Sequence, residues 1–147
     1  MNTLSFNSSI GWITLSEENS LITSVKFGKK KNKGKNAVLI RLKKQIMEFT
    51  KGKRKKFSVK LNIKGSALQK KIWKQLSKIS YGTTKTYGDI AKALRTSPRY
   101  VGNVCGQNNH LLVIPCHRVV RSDGTLGGFS GLGGIKLKKK LLQLEQS

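Results

Sequence analysis

A mixed α/β chain of the α+β kind, built as two small domains, is what this sequence predicts. Three observations carry that prediction. Two segments near the N-terminus are β-branched and apolar, several later segments repeat apolar residues every three to four positions, and the composition changes around Gly65. The 147 residues suffice for one ordinary domain or two small ones with a real core. The boundary is expected near Lys60–Ser66, giving domains over residues 1–62 and 63–147.

The first domain reads as β, then α. Trp12–Leu15 and Leu21–Phe27 are strand-like, with Ser16–Ser20 as the turn between them. Gly28–Asn36 is a Gly/Asn/Lys loop. Val38, Leu39, Leu42, Ile46 and Phe49 then fall on one helical face, so Ala37–Thr50 is an amphipathic helix. The basic run Lys51–Lys56 ends it, and Phe57–Ile63 is extended.

The second domain is helical. Leu68, Ile72, Trp73, Leu76 and Ile79 mark a helix with Ser66 as its N-cap, and Ser80–Gly88 breaks it. A short helix follows over Asp89–Leu94. Arg95–Pro98 is a turn, and Pro98 suits the first turn of a helix running to about Gly106. Two short helices across a tight turn form a helix-turn-helix pattern, whose second helix carries Arg99, Tyr100 and Asn103. Leu111–Ile114 is strand-like. Arg118–Phe129 reads as a hairpin around Asp123-Gly124, similar to the wing of a winged helix, Ser130–Gly134 as a loop, and Ile135–Glu145 as a last helix.

Thirty Lys/Arg against six Asp/Glu leave a net charge of +24, and sixteen of the basic residues lie between positions 26 and 64. Such a chain binds polyphosphate backbones through counterion release, which makes nucleic acid the expected partner. A lysine-rich solvated surface is the plainer explanation. The sequence has no apolar run of membrane-spanning length and no signal-peptide pattern at its start, so a cytoplasmic protein without membrane association is expected. Two cysteines exclude a disulfide scaffold. Cys105, His110, Cys116 and His117 lack the paired spacing of a metal site, so none is expected.

Pro115-Cys116-His117-Arg118 is the chemically suggestive stretch. A cysteine attacks as the thiolate and needs a base or a positive charge nearby. On an extended segment Cys116 and His117 would point opposite ways, so a bridging water would have to connect them. Pro115 stiffens the approach and Arg118 adds positive charge. Glu145 stands at the C-terminal end of a helix, where its charge opposes the macrodipole. A partner such as His117 would explain it, and so would a frayed terminus. Cys105, mid-helix, reads as a structural thiol; Cys116 and His117 could equally be core residues.

The stretch Ile114–Val120 resembles the signature of the O6-alkylguanine-DNA alkyltransferases. It has company in the right order: Ala67–Trp73, Tyr81–Leu94, Ser97–Val104, Gly127–Gly134 and Lys138–Glu145. The resemblance implies a ribonuclease-H-like N-terminal domain and a winged helix-turn-helix C-terminal domain. It implies a monomer that flips O6-alkylguanine, and also O4-methylthymine, out of double-stranded DNA and takes the alkyl group irreversibly onto Cys116, without a cofactor. His117 would act as the base through water, Glu145 would orient it, and Asn108 would support the thiol. Tyr87 would contact the extrahelical nucleotide and Arg99 would fill the gap it leaves. Tyr100, Gly102 and Asn103 would contact DNA, and Val119, Phe129 and Ser130 would line the pocket. Leu68, Asn109 and Phe129 depart from residues frequent in the family, and no Cys or His precedes Cys105 to form the N-terminal zinc site of some relatives. Three other readings are an alkyltransferase-like damage sensor, which would lack the acceptor cysteine, a basic winged-helix regulator, and a cysteine hydrolase, for which no oxyanion hole is evident.

Overall fold

Three antiparallel strands and a helix make up the first of two compact units, which comprises Met1–Ile63 and Asn109–Val113 in a computed structural model. The structure describes residues 1–34, 36–127 and 134–146. Strand β1 (Asn2–Ser8) pairs with β2 (Gly11–Glu18), and β2 with β3 (Leu21–Phe27), in the order β1-β2-β3. The β2–β3 turn is Asn19-Ser20, both at positive φ (53° and 67°), the geometry a two-residue hairpin favours. Helix α1 (Ala37–Thr50) starts at Asn36, whose side chain accepts from the Val38 and Leu39 amides. It buries Leu39, Leu42, Ile46 and Phe49, and packs on β1, β2 and β3, which supply Phe6, Ile13, Leu15, Ile22 and Val25.

The sequence reading places no strand at β1, because Leu4 and Phe6 are its only apolar residues; pairing with β2 along its whole length makes it a strand. The extended segment Phe57–Ile63 contributes a single bridge, Leu61 to Ile22. The strand expected over Leu111–Ile114 is not one. Leu112 adopts φ +71°, and the Val113 N–H closes back on the Leu111 carbonyl at 2.9 Å. Within the same unit His110 Nε2 lies 2.9 Å from the Ile22 carbonyl.

The second unit comprises Lys64–Asn108 and Ile114–Gln146. Helix α2 (Ala67–Leu76) opens with a reciprocal capping box between Ser66 and Gln69. Strand β4 (Lys85–Thr86) leads into α3 (Tyr87–Leu94), which Thr86 and Asp89 cap in the same way, so the helix starts two residues earlier than its apolar spacing suggests. Arg95 ends α3 in the left-handed region, Ser97 caps α4 (Pro98–Gly106), and α3 and α4 pack together and against α2. The hairpin expected over Arg118–Phe129 is different: Val119–Val120 (β5) pair in parallel with β4. Beyond them Arg121–Thr125 forms a turn organised by Asp123, whose carboxylate accepts from the Thr125 N–H and hydroxyl. Gly128–Phe129 and most of the loop Ser130–Gly134 lie outside the described residues. Helix α5 (Gly134–Gln146) completes this mixed α/β, five-helix architecture. Among the described residues no helix is long and apolar enough to cross a membrane.

Candidate active site

Cys116 is presented by a tight reversal instead of an extended segment. Pro115 sits at φ −81°, ψ 63°, the inverse γ-turn, and the Cys116 N–H closes it on the Ile114 carbonyl at 2.8 Å. Cys116–Arg118 then form one 3-10 turn. The proline's fixed φ and missing N–H favour this path, and Asn108 holds it by donating its amide to the Ile114 carbonyl at 2.9 Å. Successive side chains in such a turn diverge by roughly 120°, not 180°. The same Asn108 amide also reaches Cys116 Sγ at 3.3 Å.

His117 is fully buried, with Nε2 2.7 Å from Glu145 Oε2. Burial pushes the imidazole pKa below its ordinary value, against the pull of Glu145, so the ring is neutral at pH 7. Burial raises the Glu145 pKa, but hydrogen bonds from His117 and Arg118 outweigh it and bring it to about 2. An ionised carboxylate can only accept, so Nε2 carries the hydrogen and Nδ1 keeps its lone pair. Nδ1 has no hydrogen-bond partner among the described residues. A buried imidazole thus has one nitrogen anchored and the other unprotonated, as a general base requires.

Glu145 is held from three sides. Arg118 donates to it through Nε (2.8 and 3.1 Å) and through a second guanidinium nitrogen (2.9 Å), and the Gly82 N–H donates at 3.1 Å. The remaining Arg118 nitrogen donates to the Ile79 carbonyl at 2.8 Å. This explains a carboxylate at the wrong end of a helix: the Arg118 cation and the His117 donor outweigh the unfavourable dipole. Arg118 is thus an internal anchor, and its charge is spent on Glu145.

A cavity of about 700 Å³ is lined by Tyr87, Arg99, Gly102, Cys105, Cys116 and Gly127, among others. Burial pushes the Cys116 thiol pKa up, while the Asn108 hydrogen bond and the nearby Lys138 charge act in the opposite direction. The Tyr87 hydroxyl is raised to about 12, mainly by burial, and so stays a proton donor. Lys138, fully buried on α5, donates to that hydroxyl at 3.3 Å and to the Leu126 carbonyl. Burial lowers the Lys138 pKa while the two thiols raise it. Gly127, at φ +72°, is a place where only glycine fits, since a Cβ would stand 2.9 Å from the Tyr87 hydroxyl.

The predicted site residues therefore divide. Cys116 with Asn108, and His117 with Glu145, form two buried hydrogen-bonded pairs, joined along the chain where Cys116 precedes His117. Tyr87, Arg99 and Gly102 line the cavity. Asn103 is exposed and Tyr100 half-buried on α4. Val119 is fully buried in β5. Phe129 and Ser130 lie outside the described residues. Sequence reasoning missed the roles of Arg118 and Lys138. Lys138 did leave a signal: with Leu141 and Glu145 it falls at three- and four-residue spacing, on the stripe that α5 buries.

Residues 67–147 match the family model for the DNA-binding domain of 6-O-methylguanine DNA methyltransferase. The methylated-DNA–protein-cysteine methyltransferase of Metallosphaera sedula is 38% identical over 145 residues, covering 97% of this chain and 91% of the relative. The crystal structure of Mycobacterium tuberculosis OGT in complex with DNA superposes with a TM-score of 0.88 at 31% identity, covering 98% and 92% of the two chains. The Schizosaccharomyces pombe Atl1 complex with damaged DNA containing O6-carboxymethylguanine is similar over 56% of this chain and 79% of that one, with a TM-score of 0.50 and 27% identity. A buried cysteine–asparagine pair beside a buried histidine–glutamate pair, a family model over the second half and a relative aligned along nearly the whole length agree: this chain belongs to the 6-O-methylguanine DNA methyltransferase family.

Proposed function

We propose that the protein repairs double-stranded DNA directly, by moving the alkyl group of O6-alkylguanine, and of O4-methylthymine, onto its own Cys116. The observation that carries this reading is the pairing of a cavity-lining thiol with a neutral, oriented imidazole whose Nδ1 is unpaired. His117 Nδ1 takes the Cys116 proton through a water. The sulfur attacks the alkyl carbon, the carbon–O6 bond breaks, and its electron pair leaves on the guanine oxygen. Tyr87, its hydroxyl kept protonated and supported by Lys138, donates toward the departing base. The thioether has no leaving step, so each chain reacts once.

A base in a duplex is out of reach of a buried thiol, so the guanine must be extruded. Arg99 at the start of α4 fills the gap, and Tyr100, Gly102 and Asn103 meet the backbone. This casts α3 and α4 as the helix-turn-helix and the Arg121–Thr125 turn as a small wing, with the N-terminal unit ribonuclease-H-like. The reading includes action as a monomer, as the family resemblance implies. Incubation with a duplex containing O6-methylguanine should add about 14 Da, once per chain, at Cys116. Binding of the lesion without any mass gain would make the protein a damage sensor and overturn the reading.

A further inference from the structure

We propose that the N-terminal unit carries a duplex-DNA-binding surface of its own: the loop cations Lys29, Lys30, Lys31 and Lys33, with Lys43 of α1, arrayed along β1. The loop runs beside that strand. The loop leaves β3 with the Gly28 N–H on the Trp12 carbonyl of β2 at 2.8 Å; along β1, Asn32 then accepts from the Ser5 amide at 2.7 Å, and Lys33 and Thr3 exchange backbone bonds of 2.7 and 2.9 Å. The backbone and Asn32 thereby cover the strand edge and leave the four lysine side chains to solvent, where all are exposed.

Two of the five cations are positioned by aromatic rings. Lys29 Nζ stands 4.6 Å from the centroid of Trp12, a partly exposed ring, and Lys43 Nζ stands 5.6 Å from that of Phe6. Held ammonium groups lose less freedom on meeting a phosphate than free lysines do. Nothing in the unit neutralises the band: Glu17 is buried against Asn2 and the Ser20 amide, Glu48 is paired with Arg54 at 2.9 Å, and Glu18 closes β2 at the hairpin turn. A band of exposed cations, two of them held, without sequence-reading partners suits a backbone of regular negative charge. The choice of duplex DNA as its occupant rests on the repair reading; the surface itself does not.

The test compares the full chain with two exposed-lysine variants of equal charge loss. One is Lys29→Gln/Lys30→Gln/Lys31→Gln/Lys33→Gln, and the other is Lys51→Gln/Lys53→Gln/Lys56→Gln/Lys60→Gln. Binding to an undamaged duplex is measured across salt concentrations, and methyl uptake from free O6-methylguanine base is measured alongside. The first variant should lower the slope of log affinity against log salt by about 3 to 4, since each lost phosphate contact is worth ~0.9. The second should lower it by less than half as much, and both should take methyl from the free base at the wild-type rate. An unchanged slope, equal loss in both variants, or a loss seen with RNA alone overturns the proposal. Failure of the repair reading would show separately, as no methyl uptake by any of the three proteins.

Discussion

The N-terminal unit closes its core with Ile13, Leu15, Ile22, Val25, Leu42, Ile46 and Phe49, while the C-terminal unit seals His117, Arg118, Lys138 and Glu145 beside two thiols. Polar groups buried in the first unit are served by neutral partners, as Gln45 is by Ser58 and Glu17 by Asn2 and the Ser20 amide. In the second, the Glu145 carboxylate of α5 meets the Arg118 cation and the neutral His117 ring of the turn after Pro115. Burying charge costs free energy that packed hydrocarbon would not, so a unit that does it repeatedly beside a cavity is shaped by chemistry more than by stability. The two cysteines repeat the contrast at closer range. Both line the cavity, but Cys116 has the Asn108 amide, whereas burial raises Cys105 to about 12 with only the Lys138 charge opposing it.

The sharpest break would come at the thiol. Cys116→Ala should abolish methyl uptake while keeping lesion binding, and a residual mass gain would reassign the acceptor. Next in size, Glu145→Ala leaves Arg118 buried without its counter-charge and His117 Nε2 without its acceptor. It should cost about 3–5 kcal/mol in urea unfolding and slow transfer on the order of 10²-fold. Phe49→Ala should cost a similar ~3–5 kcal/mol yet leave the rate per folded molecule unchanged. If it slows transfer as Glu145→Ala does, the division of labour between the units fails.

Acid should act first on the two buried imidazoles, His117 and His110 of the N-terminal unit, whose pKa burial also lowers. The folded-state pKa values of His117 and Glu145 are both depressed, so their contributions to stability are complete above the unfolded values and fade as pH falls. Unfolding followed by fluorescence should show loss beginning below about 6.5 from His117 and His110, and a further loss between about 4.5 and about 2 from Glu145. A midpoint that does not move over that span would contradict the buried pair. The smallest effect is expected from Cys105→Ala, which should change stability by about 1 kcal/mol and leave one methyl per chain.

Helix positions were legible because caps and apolar spacing are local: Asn36, Ser66 and Ser97 each accept from the first-turn amides of the helix they precede. The family was legible too, through the company kept by Pro115-Cys116-His117-Arg118. Strand β1 and the parallel β4–β5 pair were not, since two apolar residues or two-residue strands carry no period and exist only through their partners.

The sequence alone determined which side chains could do chemistry and where most of the helices run, because both follow from residue type and near-neighbour spacing. Only the tertiary structure decided that Arg118 is spent on Glu145, that Lys138 of a lysine-rich helix faces Tyr87, and that His117 keeps Nδ1 free. Charge pairing and desolvation depend on distances between residues far apart in the chain, such as the 27 positions from Arg118 to Glu145, and no local pattern encodes them.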